Sequence, residues 1–319
     1  MDLSHPTRPA PSHTADAAAD TGPDAAPNTS PVPAALPLTL TAADGTRLAA
    51  THHPAAGTGE GWIVVGSATA VPRGFYRRFA EAAQARGLHV LTLDYRGIGG
   101  SAPRSLRGYA PRYADWGRLD LAAAVRHAAD RGPTALVGHS FGMHALGMLP
   151  EPHRLLAAHL SAGGAGWHGH MPRAEQWRVQ LLWRLLGPAS AAVLGYVPMK
   201  ALGIGENLPL SVFRQWRAWC RFPRYFFDDP DSRDLAARFA EVRVPIRAVN
   251  ATDDLWAPPR SRDAFLEGFT RAPIEREDVA PAALGMPVGH MGYFRPGPGG
   301  WLWPRTFRWL AAKGLPMRR

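Results

Sequence analysis

From residue 36 onward the apolar positions follow two rhythms. "LPLTLTAADGTRLAATHHP" places two alternating runs around Asp44-Gly45, a turn signal that predicts a hairpin. "GWIVVGSA", "LHVLTLDYRG", "TALVGHS", "LAAHLSAGG" and "VPIRAVNA" are short apolar runs between turn residues and read as buried strands. Between them the spacing becomes helical. "GFYRRFAEAAQARG" predicts an amphipathic helix closed by Gly87. "DWGRLDLAAAVRHAADRG" predicts a second, with Asp115 as N-cap, and "FGMHALGML" starts a third directly after its strand. "SRDAFLEGFT", with Ser261 as N-cap, and a last helix around "TFRWLAAKG" complete the series. Strands alternating with helices over short links predict an α/β fold: a mostly parallel sheet with helices on both faces.

Two regions break this rhythm. Residues 1–35 are rich in Pro, Ala and Asp and hold no Ile, Phe, Tyr or Trp. Nothing there offsets the entropy of ordering a backbone, so a disordered tail is expected. Residues 164–235 carry helical stretches, prolines and Trp167, Trp177, Trp183, Trp216 and Trp219. They read as a helical lid inserted into a core made of 36–163 and 236–319, with a small core of its own. Within it, "LLWRLLGPASAAVLGYVPM" (181–199) contains Arg184 and the breaker pair Gly187-Pro188. Two short buried or half-buried helices are expected there rather than a membrane span, which needs about 20 mostly apolar residues. "RQWRAWCRFPRY" interleaves Arg with Trp and reads as an amphipathic helix whose arginines face water.

Composition narrows the function classes. The net charge is +10, but all basic residues except Lys200 and Lys313 are arginines, scattered along the chain. That is a general bias rather than a nucleic-acid footprint, and no nucleic-acid partner is expected. Cys220 is the single cysteine, which excludes an intrachain disulfide and a Cys-based metal cluster. With no basic-then-apolar leader pattern, a cytoplasmic location is expected. His168 and His170 lack an acidic or Cys neighbour, so no metal is expected. "GIGG" does not open a helix as a dinucleotide fingerprint would, and no cofactor is expected.

The chemistry centres on "LVGHSFGMH". Gly138-His139-Ser140-Phe141-Gly142 fits G-x-S-x-G, with an apolar strand running in and a helix running out. A serine hydroxyl needs a base to remove its proton, and the base needs a carboxylate to orient it. "IRAVNATDDLWAPP" is a strand ending in an acidic turn, and "PVGHMGYFRP" places His290 before the last helix. The set is therefore Ser140, Asp254 and His290, with Asp253 the alternative acid. His139 beside the nucleophile reads as packing.

These motifs resemble the α/β-hydrolase family. "DYRGIGGS" (94–101) matches its D-x-R-G-x-G-x-S loop, and "ATDDLWAP" is similar to its G-T-x-D-P-hydrophobic-x-P acid turn. "GHMGYFRP" together with "SATAVPRGFYRRFA" is similar to a branch of bacterial α/β-hydrolases, and the resemblance spans about residues 36–315. It implies that Asp254 is the acid, since Pro258 follows it by four. Asp94, Arg96 and Ser101 in that loop read as structural, with its glycines serving turns. It also implies an oxyanion hole made by the Phe141 N–H and a donor within Ser67–Val71, Thr69 or Ala70. The chain departs from many members at this second donor, where "GSATAVP" lacks the usual His-Gly pair. A main-chain donor does not require it. The implied activity is a serine hydrolase cleaving a carboxylic ester, or a thioester or amide, through an acyl-enzyme. An acyltransferase on the same triad and a non-catalytic binding protein are the alternatives. The Trp-rich lid points to a small-molecule substrate with an apolar or aromatic acyl group.

Overall fold

The computed structural model describes residues 31–318. The tail expected at 1–35 lies outside them apart from 31–35. Strands β1 (Leu36–Thr41), β2 (Arg47–His53), β3 (Trp62–Gly66), β4 (His89–Leu93), β5 (Thr134–His139), β6 (Ala158–Ser161), β9 (Ile246–Ala251) and β10 (Ile274–Val279) form an 8-stranded sheet in the order β1-β2-β4-β3-β5-β6-β9-β10. A separate ribbon pairs β7 (Tyr196–Val197) with β8 (Leu208–Pro209). Only β2 runs against the rest of the large sheet, as the Asp44-Gly45 turn demands; every pairing from β4 to β10 is parallel.

The helices are α1 (Arg77–Gln84), α2 (Ala122–Ala129), α3 (Phe141–Met148), α4 (Arg173–Leu181), α5 (Gly187–Leu194), α6 (Leu210–Trp219), α7 (Arg233–Ala240), α8 (Pro259–Leu266), α9 (Pro281–Leu284) and α10 (Pro296–Ala312). Alternate residues of the central strands feed two cores. Ile63, Val65, Ala135 and Val137 pack with Phe79 of α1 and Phe307 and Leu310 of α10. Val64 and Leu136 pack on the opposite face with α2, α3 and Phe265 of α8. A sheet buried on both sides explains why β3 and β5 are continuously apolar. No helix among the described residues is long and apolar enough to cross a membrane.

Three local expectations are corrected, and one strand is added. Asp115 does not cap its helix: its own backbone is already helical, and its carboxylate accepts the Arg112 N–H at 3.0 Å. A π-helical turn, Trp116–Leu121, precedes α2. Ser261 lies inside α8, which starts at Pro259 because proline's fixed φ suits a first helical turn. The Ser261 hydroxyl instead donates to the Ala165 carbonyl at 2.6 Å, tying α8 to the segment after β6. Gly187-Pro188 does not break the chain. A π turn, Leu182–Leu186, joins α4 to α5, and Leu186 and Gly187 keep helical dihedrals. The wide turn tolerates the missing proline N–H near the start of α5. Finally, β10 has no counterpart in the sequence reading. It is an edge strand whose residues Glu275, Arg276, Glu277 and Asp278 face water or pair with arginines, so no apolar run announces it.

The polar side chains of the D-x-R-G loop after β4 bind neighbouring backbone groups and charged side chains. Asp94 accepts the N–H groups of Arg73 at 2.7 Å and Gly100 at 2.8 Å and pairs with the Arg73 guanidinium. Arg96 is buried between Asp120 and Asp44. Ser101 donates to the Asp94 carbonyl and accepts from Ala49.

Candidate active site

β5 ends at His139 and α3 begins at Phe141, so Ser140 alone makes the turn. Its φ of 52° with ψ −104° is a conformation that L-residues avoid. The Ser140 N–H is held by the Ser161 carbonyl of β6 at 2.8 Å. The turn needs glycine on both sides for close approach. A Cβ at Gly142 would sit 2.3 Å from the Gly66 carbonyl oxygen, and one at Gly138 would sit 2.9 Å from the backbone of Gly142. Phe141 is the first residue of α3, so its N–H has no partner within the helix and points with the positive end of the helix dipole.

The two aspartates after β9 divide between two tasks. Asp254, 1% exposed, meets His290 Nδ1 with both oxygens, at 3.0 and 2.9 Å, and also accepts the N–H groups of Trp256 and Ala257. The other side of the ring, Nε2, lies 3.1 Å from the Ser140 Oγ. Asp253 instead accepts the N–H groups of Val288 at 2.9 Å and Gly289 at 3.0 Å, clamping the loop that presents His290. The structure thus brings Ser140, His290 and Asp254 into one chain of hydrogen bonds and places Asp253 behind it.

A second chain of hydrogen bonds is absent from the sequence reading. The Ala68 N–H donates to the Tyr76 hydroxyl at 2.7 Å, and that hydroxyl lies 3.0 Å from His139 Nδ1. His139 Nε2 donates to the His290 carbonyl at 2.8 Å. Since a carbonyl only accepts, the proton sits on Nε2, and Nδ1 takes the tyrosine proton. Burial, with the nearby His290 second, pushes His139 down to about 3, so the ring stays neutral and the relay keeps its polarity. His139 therefore does more than pack. It joins the loop after β3, the turn at Ser140 and the loop of His290. No local motif announces this, because Tyr76 and His139 lie 63 residues apart. Tyr76→Phe leaves the buried Ala68 N–H and His139 Nδ1 without partners, and is expected to lower unfolding stability by about 1–3 kcal/mol. Urea denaturation measures this; an unchanged midpoint contradicts the relay.

The same bonds narrow the loop after β3. Within 67–71, Ala68 N–H is taken by Tyr76 and Val71 N–H by the Ala68 carbonyl, whereas Thr69 and Ala70 N–H have no acceptor among the described residues. The Thr69 hydroxyl is held by Tyr113. Thr69 borders open space beside Ser140, and Ala70 is buried at 1% exposure.

That space is a cavity of about 870 Å³ bordered by Ser140 and His290. Its walls are mostly apolar, with Leu182, Leu186, Met199, Ile204 and Trp216 from the segment between β6 and β9 and Phe75 from the other side, while Glu175, Arg178 and Arg295 also border it. Of the five tryptophans in that segment, Trp183 and Trp219 are buried, with Trp216 packed edge-on to Trp183 at 4.6 Å, while Trp177 is 78% exposed on the outer surface. His170 donates to the Pro223 carbonyl at 2.9 Å.

Residues 63–195 match the family model described as serine aminopeptidase, S33. No curated protein sequence matches the chain. Among solved structures, the Pyrococcus furiosus esterase Pf2001 is 15% identical with a TM-score of 0.57, covering 88% of this chain and 90% of that one. A thermophilic esterase from Thermogutta terrifontis is 16% identical with a TM-score of 0.54, over 88% and 99% of the two chains. A monoacylglycerol lipase from Paleococcus ferrophilus is 14% identical with a TM-score of 0.55, over 84% and 99%. At these identities the likeness is one of fold.

Proposed function

We propose that the chain is an α/β-hydrolase-type serine hydrolase that cleaves carboxylic esters through an acyl-enzyme, a reading supported by the family match over residues 63–195 and by the fold it shares with solved esterases. The observation that carries this reading is the contact between His290 Nε2 and Ser140 Oγ at 3.1 Å, backed by Asp254 at 2.9 Å, at the edge of a cavity of about 870 Å³.

Ser140 attacks the ester carbonyl as His290 Nε2 takes its proton. Asp254, acceptor-only, keeps the proton on Nδ1 and favours the imidazolium that forms. The tetrahedral oxyanion is met by the Phe141 N–H and, across the site, by the N–H of Thr69 or Ala70, neither of which has an acceptor among the described residues; Thr69 is the one that borders the cavity. His290 then gives its proton to the leaving alcohol. A water attacks the acyl-enzyme by the same route in reverse. The segment 164–235 acts as the lid, since its apolar side chains roof the cavity, and those walls favour an apolar or aromatic acyl group.

The test is labelling with a fluorophosphonate probe, read by intact mass, alongside turnover of p-nitrophenyl esters of several chain lengths. Wild-type protein is expected to take up one probe at Ser140 and Ser140→Ala none. A folded wild type that neither labels nor turns over any ester refutes the reading.

A further inference from the structure

A second, smaller cavity of about 40 Å³ opens on the same Ser140 and His290. Its walls include Tyr113, His144, Trp183, Trp216 and Cys220. Among the described residues, two that wall it each carry a buried polar atom without a partner: Trp183 Nε1 and His144 Nδ1. The residues are 8% and 6% exposed, so bulk water does not satisfy them. Such orphans are uncommon in a folded protein, because each forfeits a hydrogen bond it would make in water.

The two atoms differ in kind. The Trp183 indole carries an N–H and only donates. Its ring packs against Trp216 at 4.6 Å and Phe213 at 5.3 Å, which offer no acceptor. His144 Nε2 is bonded to the Gly164 carbonyl at 2.8 Å, which only accepts, so Nε2 holds the proton. Burial pushes this histidine down to about 4, so the ring is neutral and Nδ1 presents a lone pair. The residues that wall the cavity therefore include one unpaired donor and one unpaired acceptor. A hydroxyl group both accepts and donates, and it is the smallest organic group that satisfies both. Allowing about 10–15 Å³ per water-sized atom, the space holds roughly three non-hydrogen atoms.

Building on the hydrolase reading above, we propose that this small cavity is a subsite for a short hydroxyl-bearing side of the ester, with Trp183 donating to that hydroxyl and His144 accepting from it. The long apolar side of the same ester occupies the larger cavity. The preferred substrate class is then a long-chain ester whose short side carries a hydroxyl within two or three atoms of the scissile carbonyl or its alkoxy oxygen. An alkyl group of equal size fills the space and leaves both polar atoms unpaired.

The test compares isosteric pairs that differ by hydroxyl against methyl. 2-Hydroxyethyl dodecanoate against propyl dodecanoate places the hydroxyl on the alcohol side. Dodecyl glycolate against dodecyl propanoate places it on the acyl side. Wild-type protein is expected to favour the hydroxyl member of one pair by about 10- to 100-fold in kcat/KM. Trp183→Phe, which removes the N–H and keeps an aromatic ring, is expected to shrink that ratio to near one. Equal turnover within both pairs overturns the subsite and leaves the hydrolase standing. So does a preference that survives intact in folded Trp183→Phe, since the hydroxyl is then read elsewhere. Should the variant not fold, the wild-type ratios decide. If wild-type Ser140 neither labels with fluorophosphonate nor turns over any of the four esters, the hydrolase reading falls and the subsite with it.

Discussion

Ser140→Ala is expected to lower kcat on a p-nitrophenyl ester by about 10⁶-fold, and Asp254→Asn by about 10⁴-fold. The two numbers differ because the residues do different things. Without Ser140 there is no acyl-enzyme, and only the oxyanion donors and substrate binding remain. Without the Asp254 charge the nucleophile is still present, but an asparagine can hold His290 in the wrong tautomer, with Nε2 protonated and unable to accept from Ser140. Adding His290→Ala to Ser140→Ala is expected to change little further, since the groups act as one unit. Asp253→Asn supplies the control. Among the described residues its carboxylate accepts only the Val288 and Gly289 N–H groups, so its amide retains one acceptor and loosens the His290 loop. A loss of about 10- to 100-fold in kcat with about 1–3 kcal/mol of stability fits that clamp role. Steady-state kinetics of the two asparagine variants measures the contrast. If Asp253→Asn proves the more damaging in kcat, the acid is Asp253 and the present assignment is reversed.

The protein is also expected to unfold steeply in mild acid. His139, His144 and His159 are buried and neutral, and burial pushes them from the ordinary 6.5 down to about 3, 4 and 3. Below pH 6.5 the unfolded chain binds a proton at each, whereas the folded chain does not until the lowered values are reached. Their stabilising contribution is thus fully present above pH 6.5 and is lost as pH falls toward 4. Each group that is protonated only when unfolded lowers stability by about 1.4 kcal/mol per pH unit, so three give about 4 kcal/mol per unit between pH 5.5 and 4. Against a typical total of about 5–15 kcal/mol, that suffices to unfold the domain. Urea titrations at pH 7.5, 6.0, 5.0 and 4.5 follow this directly. A midpoint that stays level from pH 6.5 to 4.5 contradicts neutral burial of these rings.

The sheet was legible because each central strand is covered on both faces and so reads as an unbroken apolar run. Edge strand β10 was not, since one side of it faces water and its charges mask the period. Helix boundaries failed where a side chain had a better partner than its own helix. Ser261 reaches the Ala165 carbonyl, and Asp115 turns back to Arg112. Propensity treats such a residue as a cap because it sees only the local chain.

At the candidate site the residue types and their order were local information. A serine between two glycines, with a strand before it and a helix after it, declares a tight turn. An acidic turn after a strand and a histidine before the last helix declare two more groups. The division of labour between Asp253 and Asp254 was not local, because neighbouring carboxylates are equivalent until the His290 loop folds against one and the imidazole against the other. Nor was the Ala68–Tyr76–His139–His290 relay, whose members come from three separate stretches of chain. Sequence by itself determined which chemical groups are available and the local backbone that carries them. Only the tertiary structure decided which partners they meet, because hydrogen bonding acts over about 3 Å and only the folded sheet brings residues 150 positions apart within that reach.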